Sequence, residues 1–158
     1  MAVWSDTDFL AARAAGTFAA EPWHEADLTP NGLDLRIGHV LVPSAMQEPQ
    51  EHGTITVPPM TRFQVGTLTV LQMPPDAVGS LWIRSSFARK GVLASFGKVD
   101  AGFRGNLTLG AFNASHAALE VKVGDTFCQV VLHRMLSPPR QTYHGKYQDQ
   151  RGVTQAKP

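Results

Sequence analysis

The 158-residue chain lacks the features that mark secreted, membrane and DNA-binding proteins. Its single cysteine, Cys128, excludes an intramolecular disulfide and any multi-cysteine zinc site. No segment approaches the roughly 20 apolar residues of a membrane-spanning helix, and the first ten residues carry two aspartates where a secretory signal is apolar. The formal net charge of +1 provides no strongly basic face for duplex nucleic acid. We therefore expect a cytoplasmic protein with neither a membrane nor a nucleic-acid partner.

What is present is typical of one mainly β domain. Hydrophobic residues make up 43% of the chain and charged residues 17%, enough to build a core. Ser5, with Asp8 three positions later, predicts a short helix over residues 6–15. Short apolar runs separated by glycine and proline predict a sandwich or barrel, with strands at 33–41, 54–57, 63–72, 80–83, 107–113, 118–123 and 126–132.

The chain turns polar after Pro138-Pro139. We therefore expect a β domain over residues 1–140 and an arm over residues 141–158. The arm has too few apolar residues to join a core, so it is expected to be flexible unless it folds over a ligand or a neighbouring subunit.

Two nearby segments carry residue types suited to nucleotide chemistry. Three cations and two hydroxyls lie close together and suit a polyanion such as a triphosphate: Arg84, Ser85, Ser86, Arg89 and Lys90. Asp100 follows in a glycine-flanked turn before a predicted strand. A solvated strand-to-helix turn explains the first segment more simply, and aspartate beside glycine is ordinary turn chemistry. The residues alone therefore leave open whether this β-rich protein binds a small anion.

Other polar residues leave similar alternatives. Asp34, between two leucines, points away from its apolar neighbours and predicts a surface, an interface or a metal-proximal position. Lys146 and Gln150 lie in the polar arm, where a solvated tail is the simplest interpretation. The six histidines show no metal-ligand spacing, and the phosphate-loop, nucleophile-elbow and zinc-deaminase signatures are all absent.

Ordered motifs along nearly the whole chain resemble the dCTP deaminase and dUTPase superfamily, specifically its deaminase-like branch. After a helix opened by Ser5-Asp6, the four strings are PNGLDLRIG at 30–38, RSSFARKG at 84–91, DAGFRG at 100–105 and GKYQDQRG at 145–152. The resemblance implies a distorted β-barrel subunit with a short N-terminal helix and a C-terminal arm. It also implies a homotrimer with three active sites at subunit interfaces.

The resemblance further implies roles for particular residues. Arg84, Ser85, Ser86 and Arg89 would hold the triphosphate, and Lys146 and Gln150 would close over it from the arm. Val99 and Phe103 would line the nucleoside pocket, with Phe103 near the sugar. Asp100 would activate water for attack on the triphosphate, with Mg²⁺ on the phosphates. No residue is implied as a direct ligand of this ion, and Asp34 would reach it only through water.

The chain departs from the deaminase pattern at Gly110. Deaminases of the family carry a glutamate there that activates water to attack the cytosine ring, and glycine cannot transfer a proton. Phe96 is also bulky where deaminase relatives have small residues. The expected activity is therefore hydrolysis of dUTP to dUMP and pyrophosphate. The alternatives are a dCTP deaminase or bifunctional enzyme, a non-catalytic nucleotide-binding protein, and a hydrolase of a modified pyrimidine triphosphate.

Overall fold

The computed structural model describes residues 2–94 and 96–157 and is mainly β, as the sequence predicts. Its two α-helices within that part are α1 (Asp6–Ala14) and α2 (Ser85–Ala88), and a 3₁₀ turn spans Glu25–Asp27. None of these helices is long and apolar enough to cross a membrane. In chain order, the strands are β1 (Ala2–Val3), β2 (Ala19–Glu21), β3 (Leu28–Thr29), β4 (Gly32–Leu41), β5 (Thr54–Val57), β6 (Thr61–Thr67), β7 (Val70–Gln72), β8 (Ala77–Ile83), β9 (Val92–Ala94), β10 (Lys98–Val99), β11 (Arg104–Gly105), β12 (Thr108–Asn113), β13 (Leu119–Lys122) and β14 (Thr126–Arg134).

The predicted helix is confirmed at α1. The Ser5 backbone N–H donates to Asp8 Oδ2 at 2.8 Å, and the Asp8 N–H donates back to Ser5 Oγ at 3.4 Å, which satisfies two free donors of the first turn. Phe9 points inward from this helix and meets Trp4 and Phe18 edge-to-face, with ring centroids 5.5 and 5.3 Å away. These contacts fix α1 on one side of the core.

A curled sheet forms the body of the domain and surrounds the core. Its strands follow the order β10-β8-β14-β4-β6-β12-β9, with β1 paired to β14 and β3 to β4. Smaller sheets, β11-β7-β2 and β13-β5, complete the wall. Strands alternate buried and exposed positions, most clearly in β12 and β13, so one face packs inward. The half-barrel agrees with the predicted distorted β-barrel.

The single strand expected over 63–72 is wrong, because the chain leaves the main sheet at Thr67. β7 then pairs with β2 and β11 in a separate sheet. The buried amide of Asn106 donates to the carbonyl oxygens of residues 67, 68 and 69 at 2.8, 3.2 and 3.1 Å. A side chain thus replaces the lost strand partners, which allows the bend.

The sequence predicts an arm that stays flexible unless it folds over a ligand or a neighbouring subunit, but the arm docks on its own chain. Tyr143 and Tyr147 pack their rings against the core cluster, and the Phe103 ring meets Tyr143 edge-to-face at 5.6 Å. A tyrosine ring buries apolar surface while its hydroxyl remains available for hydrogen bonds, so a polar segment can still dock. The division at residue 140 stays a prediction.

Candidate active site

One cavity collects residues from the turn after β10, from β12 and from the arm. Its volume is about 490 Å³, within the range of small-molecule sites. Val99, Phe103, Leu107 and Leu109 provide apolar walls, while Asp100 and Gln150 supply polar groups. The structure therefore brings together four of the predicted site residues: Val99, Asp100, Phe103 and Gln150.

Asp100 stands in a tightly held turn at the edge of this cavity. The Phe103 N–H donates to the Asp100 carbonyl oxygen at 3.1 Å, and the Gly102 N–H donates to the Pro74 carbonyl at 3.2 Å. Gly102 has φ +77°, and a Cβ there would lie 2.5 Å from Thr142 Cβ, so the turn requires glycine. The Asp100 side chain is exposed and has no hydrogen-bond or ion-pair partner among residues 2–94 and 96–157. It can accept a proton from a bound water.

The arm is clasped to the segment that follows this turn. The Asp149 N–H donates to the Arg104 carbonyl at 2.7 Å, and the Arg104 N–H donates to Gln148 Oε1 at 3.0 Å. Two further bonds join Gln150 to Asn106: the Asn106 N–H donates to the Gln150 carbonyl at 3.0 Å, and Gln150 Nε2 donates to the Asn106 carbonyl at 2.6 Å. These bonds hold the arm against β11, where Gly105 and Gln150 form a single parallel bridge.

An exposed ion pair reinforces the clasp. Arg104 Nη2 donates to Asp149 Oδ2 at 3.0 Å, and Arg104 Nε contacts the other oxygen. The hydrogen bond from Arg104 lowers the pKa of the Asp149 carboxyl, and the same contact raises the pKa of Arg104. The pair therefore favours the docked arm while the carboxylate is ionised.

The wall beside Gly110 is built from β12 and β6. Gly110 pairs directly with Gln64, and both line the cavity. A Cβ at Gly110 would meet nothing within 4 Å, so the space is open. Asp100, at the cavity edge, is the only aspartate or glutamate among the described residues that line the cavity.

Sequence reasoning did not identify Gln64, Tyr143, Tyr147 and Thr154 as cavity residues. Gln64 lies between the buried residues Phe63 and Val65 on a strand. Like Asp34, Gln64 is a polar residue between apolar neighbours on a strand, and this pattern could have identified it. The three arm residues could not be placed, because their positions depend on the docking of the arm.

The predicted triphosphate-binding residues lie elsewhere. Arg84, Ser85, Ser86 and Arg89 sit at α2, and none of them lines the cavity. Ser85, Ser86 and Arg89 are exposed. The structure therefore does not bring these four residues into the cavity that holds Asp100.

Asp34 is engaged by protein donors. Arg84 Nη1 lies 3.0 Å from Oδ1 and 2.7 Å from Oδ2, and Gln129 Nε2 donates to Oδ1 at 3.2 Å. This pairing positions the Arg84 guanidinium. Among residues 2–94 and 96–157, no group of three or more histidine, cysteine, aspartate or glutamate side chains could hold a metal ion. The residues present therefore do not fit a protein-held metal, whereas a magnesium ion bound to substrate phosphates needs few protein ligands.

Lys146 lies in the arm but does not line the cavity. Its ammonium contacts the Lys157 carbonyl and lies 5.6 Å from the centre of the Tyr147 ring. Lys157 Nζ donates in turn to the Lys146 carbonyl at 2.8 Å. The two lysines therefore hold together the ends of the docked arm.

Comparison with known proteins places this arrangement in a family. A family model described as dCTP deaminase-like matches residues 3–135. A protein of Pyrococcus horikoshii named dCTP deaminase is 42% identical over 129 residues, covering 81% of this chain and 83% of its own. A protein of Sulfolobus islandicus rod-shaped virus 1, named "Probable deoxyuridine 5'-triphosphate nucleotidohydrolase", is 33% identical over 156 residues and 98% of each chain.

Solved structures agree in fold. A dCTP deaminase from Agrobacterium tumefaciens superposes with a TM-score of 0.69 at 18% identity, over 82% of this chain and 47% of that one. Native EIAV dUTPase gives a TM-score of 0.51 at 19% identity, over 82% of this chain and 98% of that one. The chain belongs to the dCTP deaminase-like family, within the superfamily that includes dCTP deaminases and dUTPases.

Proposed function

We propose that the protein hydrolyses a pyrimidine deoxynucleoside triphosphate, namely dUTP, to dUMP and pyrophosphate. The observation that carries this proposal is that Asp100 and Gly110 line the same cavity, and that Asp100 is exposed and has no side-chain partner among the described residues. The first residue can act as a base, whereas the second provides no acid where deaminases of the family carry one. The match to a viral protein named as a deoxyuridine triphosphate nucleotidohydrolase supports the same choice.

Hydrolysis uses Asp100 as the general base. The carboxylate accepts a proton from water as the water oxygen bonds to the α-phosphorus, and the bond from that phosphorus to the oxygen bridging to the β-phosphate breaks. Pyrophosphate leaves, and the proton passes from Asp100 to solvent. The substrate is the magnesium complex of dUTP, in which the ion neutralises part of the phosphate charge. Val99 and Phe103 enclose the nucleoside, and Gln150 and Lys146 bring the arm over it.

We further propose that the enzyme is a homotrimer in which a second subunit completes each site. Arg84, Ser85, Ser86 and Arg89 lie outside the cavity of their own subunit. Ser85, Ser86 and Arg89 are exposed and available to a neighbour, and Arg84 is partly exposed beside them, held by Asp34. Arginine forks there would bind the triphosphate bidentately. Light scattering should give about three times the 17.1 kDa subunit mass; a monomer mass would overturn the trimer.

A mixing experiment tests whether the site is shared. Asp100→Asn and Arg89→Ala should each abolish hydrolysis as homotrimers. If one subunit supplies the base and the next supplies the phosphate clamp, random remixing at equal amounts restores about a quarter of the sites. A site contained in one chain would show no recovery.

The main experiment identifies the reaction itself. The pure protein is incubated with dUTP and with dCTP, with and without Mg²⁺, and the products are separated by chromatography. We expect dUMP and pyrophosphate from dUTP in the presence of Mg²⁺.

Deamination of dCTP is the second candidate, because the Pyrococcus relative that is 42% identical is named dCTP deaminase. Formation of dUTP or dUMP from dCTP would establish it. Nucleotide binding with no turnover of either substrate would point instead to a non-catalytic family member.

A further inference from the structure

Gln64 presents the one carboxamide side chain on the sheet wall of the cavity, among its described lining residues. Its side chain is largely enclosed, since the residue is only 7% exposed. In the β6–β12 ladder it stands directly opposite Gly110, and directly paired residues share one face of a sheet. The open space at Gly110 therefore lies beside the Gln64 carboxamide.

The arm orients this carboxamide. Gln155 Nε2 donates to Gln64 Oε1 at 3.1 Å, and the Thr154 N–H anchors the same part of the arm to Thr108 Oγ1 at 2.9 Å. With its oxygen accepting from Gln155, the Gln64 amide directs its Nε2 donors elsewhere, and these have no partner among residues 2–94 and 96–157. The cavity therefore meets a hydrogen-bond donor at this point.

We propose that Gln64, oriented by Gln155, is a specificity-determining residue that donates a hydrogen bond to the 4-carbonyl oxygen of a uracil-type base. This inference rests on the proposed function and extends it to the choice of base. Uracil carries an acceptor at C4, whereas cytosine carries an amino group, which is a donor. The Gln64 amide and the cytosine amino group are both donors, so neither would find a partner in an enclosed site. A mismatch of this kind discriminates strongly between the two bases.

The same geometry makes base selection dependent on the arm. Gln155 belongs to the arm and follows the residues that clasp Arg104 and Asn106. When the arm is undocked, the Gln64 amide loses the contact that fixes its orientation and can present either its oxygen or its nitrogen. Discrimination between the two bases therefore develops only in the docked state.

Binding of α,β-imido analogues of dUTP and dCTP tests the proposal without relying on turnover. The ratio of the two dissociation constants is measured by calorimetry for the wild type and for Gln64→Leu and Gln155→Glu. We expect the wild type to prefer the dUTP analogue and Gln64→Leu to reduce that preference by about tenfold, the effect of one neutral hydrogen bond.

Gln155→Glu provides the sharper outcome. A carboxylate can only accept, so Gln64 must turn its Nε2 toward it and present Oε1 to the cavity. The ratio should then shift by about tenfold toward the dCTP analogue. Gln47→Glu, an equal charge change in an exposed loop outside the cavity, should leave the ratio unchanged.

The outcomes separate this inference from the proposed function. Tight binding of the dUTP analogue with an unchanged ratio in both variants overturns the role of Gln64 and leaves the hydrolase proposal intact. Failure of the wild type to bind either analogue overturns both. If Gln64→Leu fails to fold, Gln155→Glu decides the question alone, because residue 155 is exposed.

Discussion

Replacing Asp100 by asparagine removes the proposed base while preserving the shape of the side chain. The Asp100 side chain is exposed and makes no hydrogen bond or ion pair within the described part of the chain. The fold therefore loses no contact, and the free energy of unfolding should change by less than about 0.5 kcal/mol. Any loss of activity then reports on chemistry.

The expected loss is large in kcat and small in affinity. General base catalysis contributes about 10²–10⁴ in rate, equivalent to about 2.7–5.5 kcal/mol of the barrier. Binding of the imido analogue of dUTP should be retained or slightly tightened, because the substitution removes a negative charge from the neighbourhood of a polyanion.

Pyrophosphate release measures the turnover, and calorimetry with the analogue measures the binding. Asp125→Asn serves as the matched control, since Asp125 is also exposed but lies in the turn before β14, outside the cavity. Turnover of Asp100→Asn within about threefold of wild type, far short of the loss expected for a general base, would remove Asp100 from the mechanism.

Three further predictions concern Gly110, Cys128 and the arm. Gly110→Glu should fold, because a Cβ at this position meets open space. The variant should convert dCTP to uracil nucleotides, which chromatography would detect. If it binds dCTP but forms no product, the missing glutamate at position 110 is not the only reason for the lack of deamination. Burial, and then the charge of Asp34, raise the pKa of the Cys128 thiol. A disulfide reagent at pH 8 should therefore label it only after denaturation, and rapid labelling of the native protein would contradict this. The hydrogen bond from Arg104 lowers the pKa of Asp149. The ion pair therefore stabilises the docked arm at pH values above the ordinary carboxyl pKa, and this stabilisation is lost as the pH falls through the lowered pKa of Asp149. Asp149→Asn should weaken the docking of the arm at neutral pH, as acid does in the wild type, and trypsin should then cleave faster after Arg151. An unchanged cleavage rate would show that the ion pair does not hold the arm.

Local signals were sufficient for the helix and for six of the seven predicted strands. The Ser5–Asp8 capping box predicts α1 to within one residue, and the run over 54–57 coincides with β5. In both cases the deciding interactions lie within a few positions along the chain. The break between β6 and β7 could not be predicted, since it depends on Asn106, which is distant in sequence and reaches three carbonyls.

The candidate site was predictable only in part, because it too depends on contacts between residues that are distant in sequence. The DAGFRG motif placed Asp100 in a turn, and the structure adds that Val99, Phe103 and Gln150 share its cavity. The docking of the arm depends on backbone hydrogen bonds with Ala101, Arg104 and Asn106, which composition cannot reveal. The rings of its two tyrosines supply the apolar surface with which this polar segment packs against the core.

In our proposal, the layout of the cavity allows hydrolysis to occur without deamination. Asp100 is held by the turn around Gly102, while position 110 belongs to the β12 ladder opposite Gln64. Residue 110 makes none of the hydrogen bonds that hold that turn or clasp the arm to Arg104 and Asn106. In our proposal the two reactions thus depend on two independently supported positions, and the loss of the acid at one leaves the base at the other in place. The same proposal gives the neutral amide beside the space at Gly110 the choice of base, and it leaves the activation of water to Asp100.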